Sequence, residues 1–477
     1  MCDDLPMSSG KMSDTVGGVV VVPALVENHL RPGSLKFPSI LVQGVTHIAP
    51  AIGLVLSIQY IALQAGTAAP LAFLVAFLII LMLGISLTQL AKHNPSAGGY
   101  YTYILRTIHP KAGFLTAWVY FLYDPASTAI NLAFMGYFLQ NTLKVEMGVV
   151  FPWWLFFVPA ALLVTLLTYR GIELSATTMV WLTVVEVGIL AALSIMGVLH
   201  PGPGGVRLPA HTLAAVPAQG RFYLAVVFAI FCFTGFESVA PLAEETEDPK
   251  RNLPRSIVYS IVLTGIFFTF CSWAVLTGWG VADPSGFARS VENPVLILAH
   301  RLWGRAWILV FVAVFNSIMA VSIACTNAAT RVFFAMGRAR SLPAFLGKIH
   351  PEFKTPVNAI WLQTALTLAL GLGMGFWIGP DQEYYFLGVS MTLGLIFVYA
   401  AGNIGVMVDY GWRRRDQLHP ILHVAFPLLS TLALLWAGYF SVVPLPPPPV
   451  RYAPYLAGVW LLAGVFLAFR PHRSERL

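Results

Sequence analysis

Charge is what this sequence lacks. Asp, Glu, Lys and Arg make up 10% of its 477 residues, against about a quarter in soluble domains. Hydrophobic residues supply 57%, and the mean hydropathy is +0.75. That balance excludes a disordered chain, a nucleic-acid-binding domain and an ordinary soluble enzyme. Cysteine is scarce too: Cys2, Cys232, Cys271 and Cys325 occur without any CxxC or Cys/His spacing. Neither a disulfide framework nor a metal site follows from such spacing. The three in apolar stretches read as small packing residues. HExxH, GxSxG and GxxxxGK[ST] patterns are missing as well, which argues against a membrane-embedded hydrolase and against a nucleotide-driven pump. No cofactor is implied.

What is present is a succession of uncharged runs. Residues 37–91 hold no Asp, Glu, Lys or Arg, too long for one bilayer crossing of about 20 residues and enough for two. Further uncharged runs cover 147–169, 256–282, 306–330, 355–380, 384–408, 417–450 and 452–469. Three more stretches carry one acid each: Asp124 in 112–143, Glu186 in 174–199 and Glu237 in 221–243. The pattern predicts an all-α polytopic membrane protein with twelve crossings. Residues 1–36 read as a tail rather than a signal peptide, since they open on Asp3 and Asp4 and their one apolar run, near 18–26, is short and interrupted.

Basic residues set the orientation. With loops assigned alternately, 21 of the 28 Lys and Arg fall on the side of the two termini. Bases accumulate in cytoplasmic loops, so both termini are expected in the cytoplasm and the protein in a plasma membrane, the inner membrane if the source is bacterial. The net charge of +7 is then largely topological, and the isoelectric point near 9.2 is no sign of a nucleic-acid partner. Membrane lipid is the expected surround.

Two crossings have oddities at mid-span. The first contains His47-Ile48-Ala49-Pro50-Ala51, and the sixth contains Phe233-Thr234-Gly235-Phe236-Glu237-Ser238 followed by Pro241. Proline removes a backbone donor and clashes with the preceding turn, while glycine permits unusual angles. Either could be a packing kink. As a pair they fit an inverted repeat of five plus five helices around a central site. The three acids need an explanation as well, because a carboxylate in lipid must be neutral, paired or facing a cavity, and no Lys or Arg lies inside any span, Arg221 standing at the edge of one. Glu186 is the candidate for proton coupling; its alternative is a protonated carboxyl bonded to nearby backbone. Glu237 could tie loose amides at the break. Asp124, followed by Pro125, either faces a substrate path or satisfies donors at a kink. His47 is a possible titrating group or a hydrogen-bonding packer. Phe231, Phe233 and Phe236 stand next to the break, where aromatic rings could close over a ligand.

Three stretches carry a resemblance. They are Asn94-Pro95-Ser96-Ala97-Gly98-Gly99-Tyr100-Tyr101-Thr102-Tyr103; Phe233 to Ser238 with Ala243-Glu244-Glu245-Thr246-Glu247-Asp248-Pro249; and Asn327-Ala328-Ala329-Thr330-Arg331 with Leu342-Pro343. In this order the chain resembles the amino acid–polyamine–organocation transporter superfamily from about 38 to 470. The resemblance implies an inverted-repeat core over 37–410, two trailing helices over 411–470 and a short tail over 471–477. It also implies that the substrate's amino and carboxylate groups meet unwound backbone at His47 to Ala51 and at Thr234 and Gly235. By position, Phe231 matches the aromatic that closes over substrate, Ser127 and Ile130 match side-chain contacts, and Glu186 falls where some proton-coupled members have lysine. Glu244, Glu245 and Arg331 match an inner gate, or else ordinary pairing at headgroup level. One departure matters: the family's small glycine-containing run in the first helix is replaced by His47-Ile48-Ala49-Pro50-Ala51. Pro50 has no N–H, which weakens an amide cradle for carboxylate and keeps amines open as substrates.

The resulting expectation is a secondary transporter of an amino acid or related amine, working by alternating access with protons as the coupling partner. Exchange of one substrate for another and uptake of polyamines are the alternatives. Sodium coupling would draw on hydroxyls such as Ser317, Ser322 and Thr326, which equally serve as backbone hydrogen-bonders in lipid.

Overall fold

A computed structural model describes residues 30–206, 215–216, 221–290, 292–443, 445 and 447–469. Most of the expected amino-terminal tail and all of 471–477 lie outside the described residues. Among the described residues seventeen α-helices follow one another: α1 (Phe37–Ile48), α2 (Pro50–Ala65), α3 (Ala69–His93), α4 (Tyr100–Thr107), α5 (Pro110–Tyr120), α6 (Asp124–Met147), α7 (Trp154–Tyr169), α8 (Ile172–Leu199) and α9 (Phe222–Phe231) form the first part. The second part holds α10 (Pro249–Trp279), α11 (Pro284–Arg289), α12 (Pro294–Trp303), α13 (Ile308–Arg338), α14 (Val357–Ile378), α15 (Pro380–Val408), α16 (Phe426–Val442) and α17 (Ala453–Ala468). Among the described residues there is no β-strand; one isolated bridge joins Leu35 to Thr246.

Of the prolines that lie within the described α-helices, most start the helix instead of breaking it. Pro38, Pro50, Pro70, Pro110, Pro125, Pro249, Pro380, Pro427 and Pro454 all sit in a first turn, where the missing N–H has no partner to lose and φ is already helical. Nine helical stretches among the described residues are long and apolar enough to cross a membrane. One of them, Phe37–His93, runs for 57 residues and contains α1, α2 and α3. The stretch holding Asp124 is absent from these nine because α6, though 24 residues long, carries too many polar residues, and Trp154–Tyr169 is shorter, an apolar helix of 16 residues.

Exposure runs opposite to a soluble protein. Trp181, Leu199, Trp377, Val459, Leu462 and Phe466 are exposed, each at more than 60%, as lipid-facing side chains should be. The interior is held by close approach. A Cβ at Gly265 of α10 would lie 2.2 Å from the Phe77 ring of α3, and one at Gly84 of α3 would lie 2.3 Å from Ile261 of α10. Small residues at such seams let helix axes come together where no hydrophobic effect drives them.

Polar groups are buried beneath this shell. Asp124, Glu186, Glu245, Arg331 and Glu383 are completely inaccessible, and Glu237 and Asp409 nearly so. This corrects the expectation that three acids and no base enter the spans. Arg331 does not lie in a loop after residue 330, because α13 continues for two more turns to Arg338. Its guanidinium forms a two-pronged pair with Glu245, Nε–Oε2 2.9 Å and Nη2–Oε1 3.1 Å, and also donates to the Thr330 hydroxyl at 3.1 Å. Both side chains are fully buried. Glu244 faces the other way, to the part-exposed Arg338 at 2.5 Å, and accepts from the Ala97 amide at 3.2 Å. The Leu35 amide donates to the Glu245 carbonyl at 2.9 Å, which ties the chain before α1 to the same point.

Breaking a buried pair leaves one uncompensated charge, at a cost of about 3–5 kcal/mol. Arg331→Met is therefore expected to lower the melting temperature of the purified protein sharply. The double variant Arg331→Met/Glu245→Leu should regain most of the loss, since no charge is then stranded. A single variant that melts with the wild type would contradict this account.

Candidate functional site

The first crossing stops at Ile48 and restarts at Pro50. Between them Ala49 adopts φ 54° and ψ 69°, a left-handed conformation that costs a non-glycine residue about 1–2 kcal/mol. The Ala49 amide bonds back to the Thr46 carbonyl at 3.0 Å, and the Ala49 carbonyl accepts from Gly53 to open α2. Proline at the first position of α2 needs no partner, so the first-turn amides that α2 leaves unpaired in its own ladder belong to Ala51 and Ile52. The sixth crossing is interrupted in the same manner. α9 ends at Phe231, Gly235 takes φ 111°, and a 3-10 segment runs over Phe236–Leu242 with Pro241 inside it.

These two breaks touch. A Cβ on Gly235 would lie 2.4 Å from His47 Cδ2 and 2.8 Å from the His47 carbonyl. Glycine is required there twice over, for its backbone angle and for the imidazole against it. Glu237 holds the interrupted sixth segment together: its Oε2 accepts from the Gly235 amide at 3.0 Å and from the Tyr399 hydroxyl at 2.6 Å. Thr234 donates its hydroxyl to the Phe231 carbonyl at 2.9 Å. In the first break Gln43 reaches the Ala324 carbonyl at 3.0 Å, and the Thr46 and Thr183 hydroxyls meet at 2.5 Å.

A third interruption lies opposite. α5 ends at Tyr120 and α6 opens on Asp124, so Asp124 stands at a helix start, not half-way along a continuous helix. Its Oδ2 accepts from the Tyr120 hydroxyl at 2.6 Å. Its Oδ1 lies 3.2 Å from His47 Nε2. The same nitrogen is 3.3 Å from Cys325 Sγ on α13, and the Tyr123 ring is stacked on the imidazole with centroids 5.8 Å apart. Cys325 is therefore a polar neighbour at the break and not simply apolar filling. His47, Asp124, Tyr120, Tyr123 and Cys325 are all buried.

The remaining candidates divide. Ser127, one turn along from Asp124, directs its hydroxyl to the Met391 sulfur at 3.7 Å, and Ile130 is buried on the same helix. Ile48 and Ala51 flank the first break and are buried. Phe231 is partly buried, with its ring edge-on to Phe228 at 6.1 Å. Phe233 packs edge-on to Phe268 at 5.2 Å, and Phe236 stacks on Tyr399 at 5.5 Å, so both rings serve packing between helices. Glu186 lies one turn from Thr183 on α8, with the Ser317 hydroxyl of α13 beside it. Among the described residues neither Glu186 oxygen has a hydrogen-bond partner. Glu244, Glu245 and Arg331 form the separate layer described above.

Sequence reasoning missed Tyr120, Cys325 and Glu383. Tyr120 precedes Asp124 by four residues, a spacing at which side chains meet on one helix face, so it was open to detection. Cys325 reaches His47 across 278 positions of chain and left no local signal. Glu383 stands immediately before the uncharged run 384–408. It is buried in the first turn of α15, and both its oxygens lack a partner among the described residues.

Residues 39–445 match the family model described as amino acid permease. The chain belongs to that family. Relatives include the branched-chain amino acid permease of Bacillus subtilis, 27% identical over 87% of this chain and 88% of its own length. The low-affinity putrescine importer of Escherichia coli K12 is 26% identical over 77% of this chain and 79% of its own. The methylthioribose transporter of Bacillus subtilis is 24% identical over 87% of both. In this permease the matched region takes in all three interruptions and the Arg331–Glu245 pair.

If the permease needs Gly235 against His47, Gly235→Ala should lose at least about 2 kcal/mol from overpacking and backbone strain combined. Gly188→Ala on α8, where an added Cβ meets nothing within 4 Å, is the comparison. Thermal melts in detergent that rank the two variants equally would refute the contact.

Proposed function

We propose that the chain is a secondary transporter that carries an amino acid or related amine across the plasma membrane by alternating access, with proton symport as the coupling. The observation that carries this reading is the meeting of two interrupted helices at His47 and Gly235, with the Asp124 carboxylate against them. Unwound backbone within a membrane persists where it is buried in protein or lines a water-filled site, and transporter sites are built from such half-helices. Twelve crossings, a five-plus-five inverted repeat over 37–410, trailing helices over 411–470 and cytoplasmic termini complete the proposed architecture.

The chemistry of the break favours an ammonium group. Pro50 removes one amide from the cradle that would grip a carboxylate, which leaves Ala51 and Ile52, while Asp124 supplies a negative charge. Carbonyls at the end of α1 add partial negative charge toward the same point. Ser127, Ile130 and Phe231 would then contact the substrate's side chain, and Thr234 and Gly235 its amino end. Among relatives, one is named as a putrescine importer and another as a branched-chain amino acid permease, so a diamine and a zwitterion both belong in the screen. Asp124 favours the amine.

Glu186 is the proposed proton carrier. It is fully buried without a counter-ion among the described residues, with the Ser317 hydroxyl beside it, and a carboxyl in a span must be neutral, paired or facing a cavity. Glu244, Glu245 and Arg331 would form the inner closure. An exchanger is the second reading, favoured if Glu186 proves dispensable.

Uptake into proteoliposomes distinguishes these. An inward proton gradient should drive accumulation of a radiolabelled amine or amino acid, and Glu186→Gln should abolish uphill accumulation while leaving downhill exchange. Accumulation by Glu186→Gln equal to wild type would exclude proton coupling through this residue. Phe231→Ala should weaken affinity about three- to tenfold, for the loss of about 0.5–1.5 kcal/mol of aromatic packing; unchanged binding of every ligand would remove Phe231 from the site.

A further inference from the structure

Three metal-ligand atoms from three helices converge at the break. His47 Nε2 of α1 lies 3.2 Å from Asp124 Oδ1 of α6 and 3.3 Å from Cys325 Sγ of α13. All three atoms lie within 4.8 Å of one another. Asp124 Oδ1 is buried, and its one close polar neighbour among the described residues is the His47 imidazole, at ion-pair distance.

We propose that His47 Nε2, Asp124 Oδ1 and Cys325 Sγ form a tripod for one zinc-class divalent cation. Zinc binds nitrogen at about 2.0 Å, sulfur at about 2.3 Å and carboxylate oxygen at about 2.0–2.2 Å. Tetrahedral ligands at those lengths stand about 3.3–3.7 Å apart, close to the two separations seen here. An imidazole, a thiolate and a carboxylate select zinc or cobalt(II) and disfavour sodium, magnesium and calcium, which take all-oxygen shells. Cys325 releases its thiol proton when the metal binds.

The surroundings suit such a site. The Tyr120 hydroxyl holds the second oxygen of Asp124 at 2.6 Å, the kind of outer contact that orients a metal-binding carboxylate. Tyr123 fixes the imidazole plane by stacking. Three protein ligands leave the fourth position open. A bound ion would staple α1, half of the interrupted pair, to α6 and α13 behind it. This consequence, arrest of transport by zinc, rests on the alternating-access reading; metal binding itself does not.

Cobalt(II) alone, titrated into chelator-treated purified protein, tests the site. We expect one cobalt per chain and a thiolate-to-cobalt charge-transfer band in the near ultraviolet, reversed by zinc. Cys325→Ser should abolish the band, Cys232→Ser should keep it, and His47→Gln or Asp124→Asn should weaken binding at least about tenfold. Because Cys325 lies in packed interior, a chain carrying Cys2→Ser, Cys232→Ser and Cys271→Ser provides the converse check and should retain the band. Absence of a band in the wild-type protein, or its survival in Cys325→Ser, overturns the site. Transport assays are separate, so a failure of the transport reading leaves the cobalt result standing.

Discussion

A helix that stops inside a bilayer strands amides and carbonyls where no water can reach them, and the structure depends on how this is resolved. Ala49 and Gly235 both leave helical angles, and the two breaks are pressed together until Gly235 has room for the His47 ring and nothing larger. Glu237 and Thr234 then satisfy the sixth segment from within. Neither interruption would be tolerable alone in lipid. Side by side, and backed by α13 and the α5–α6 corner, each supplies the polar surroundings the other needs.

Buried charge follows the same rule at a larger scale. Arg331 and Glu245 neutralise each other completely out of water, with additional bonds to the Thr330 hydroxyl and to Asn327. His47, Asp124 and Tyr120 form a second polar group at the breaks, and Glu237 with Tyr399 a third. Glu186 and Glu383 stand apart, since no described cation pairs with either buried carboxyl. Of these two, Glu186 lies one turn from Thr183, whose hydroxyl meets Thr46 beside the first break, which is why the mobile proton is assigned to it.

Much of this was legible in the residues. Long uncharged runs marked the apolar helices, and Pro50, Gly235 and Pro241 marked the interruptions, because backbone chemistry is local and proline and glycine declare it. Asp124, Glu186 and Glu237 were visible as rare acids. What local reading could not see were contacts between distant segments. It ended the helix before Arg331, since an arginine resembles a loop until its partner Glu245 is known. It gave Cys325 to apolar packing because the imidazole beside it comes from another part of the chain.

Composition and motif order alone determined that the chain lives in a membrane, that its helices are apolar, and that it resembles amino acid permeases. Those properties depend on side-chain transfer energies and backbone preferences, which each residue carries with it. The tertiary structure decided which polar atoms meet: His47 with Gly235, Asp124 and Cys325; Arg331 with Glu245; Phe233 and Phe236 with helix partners. Such meetings depend on how each helix is rotated and how closely small residues let its neighbours approach, and no single helix contains that information.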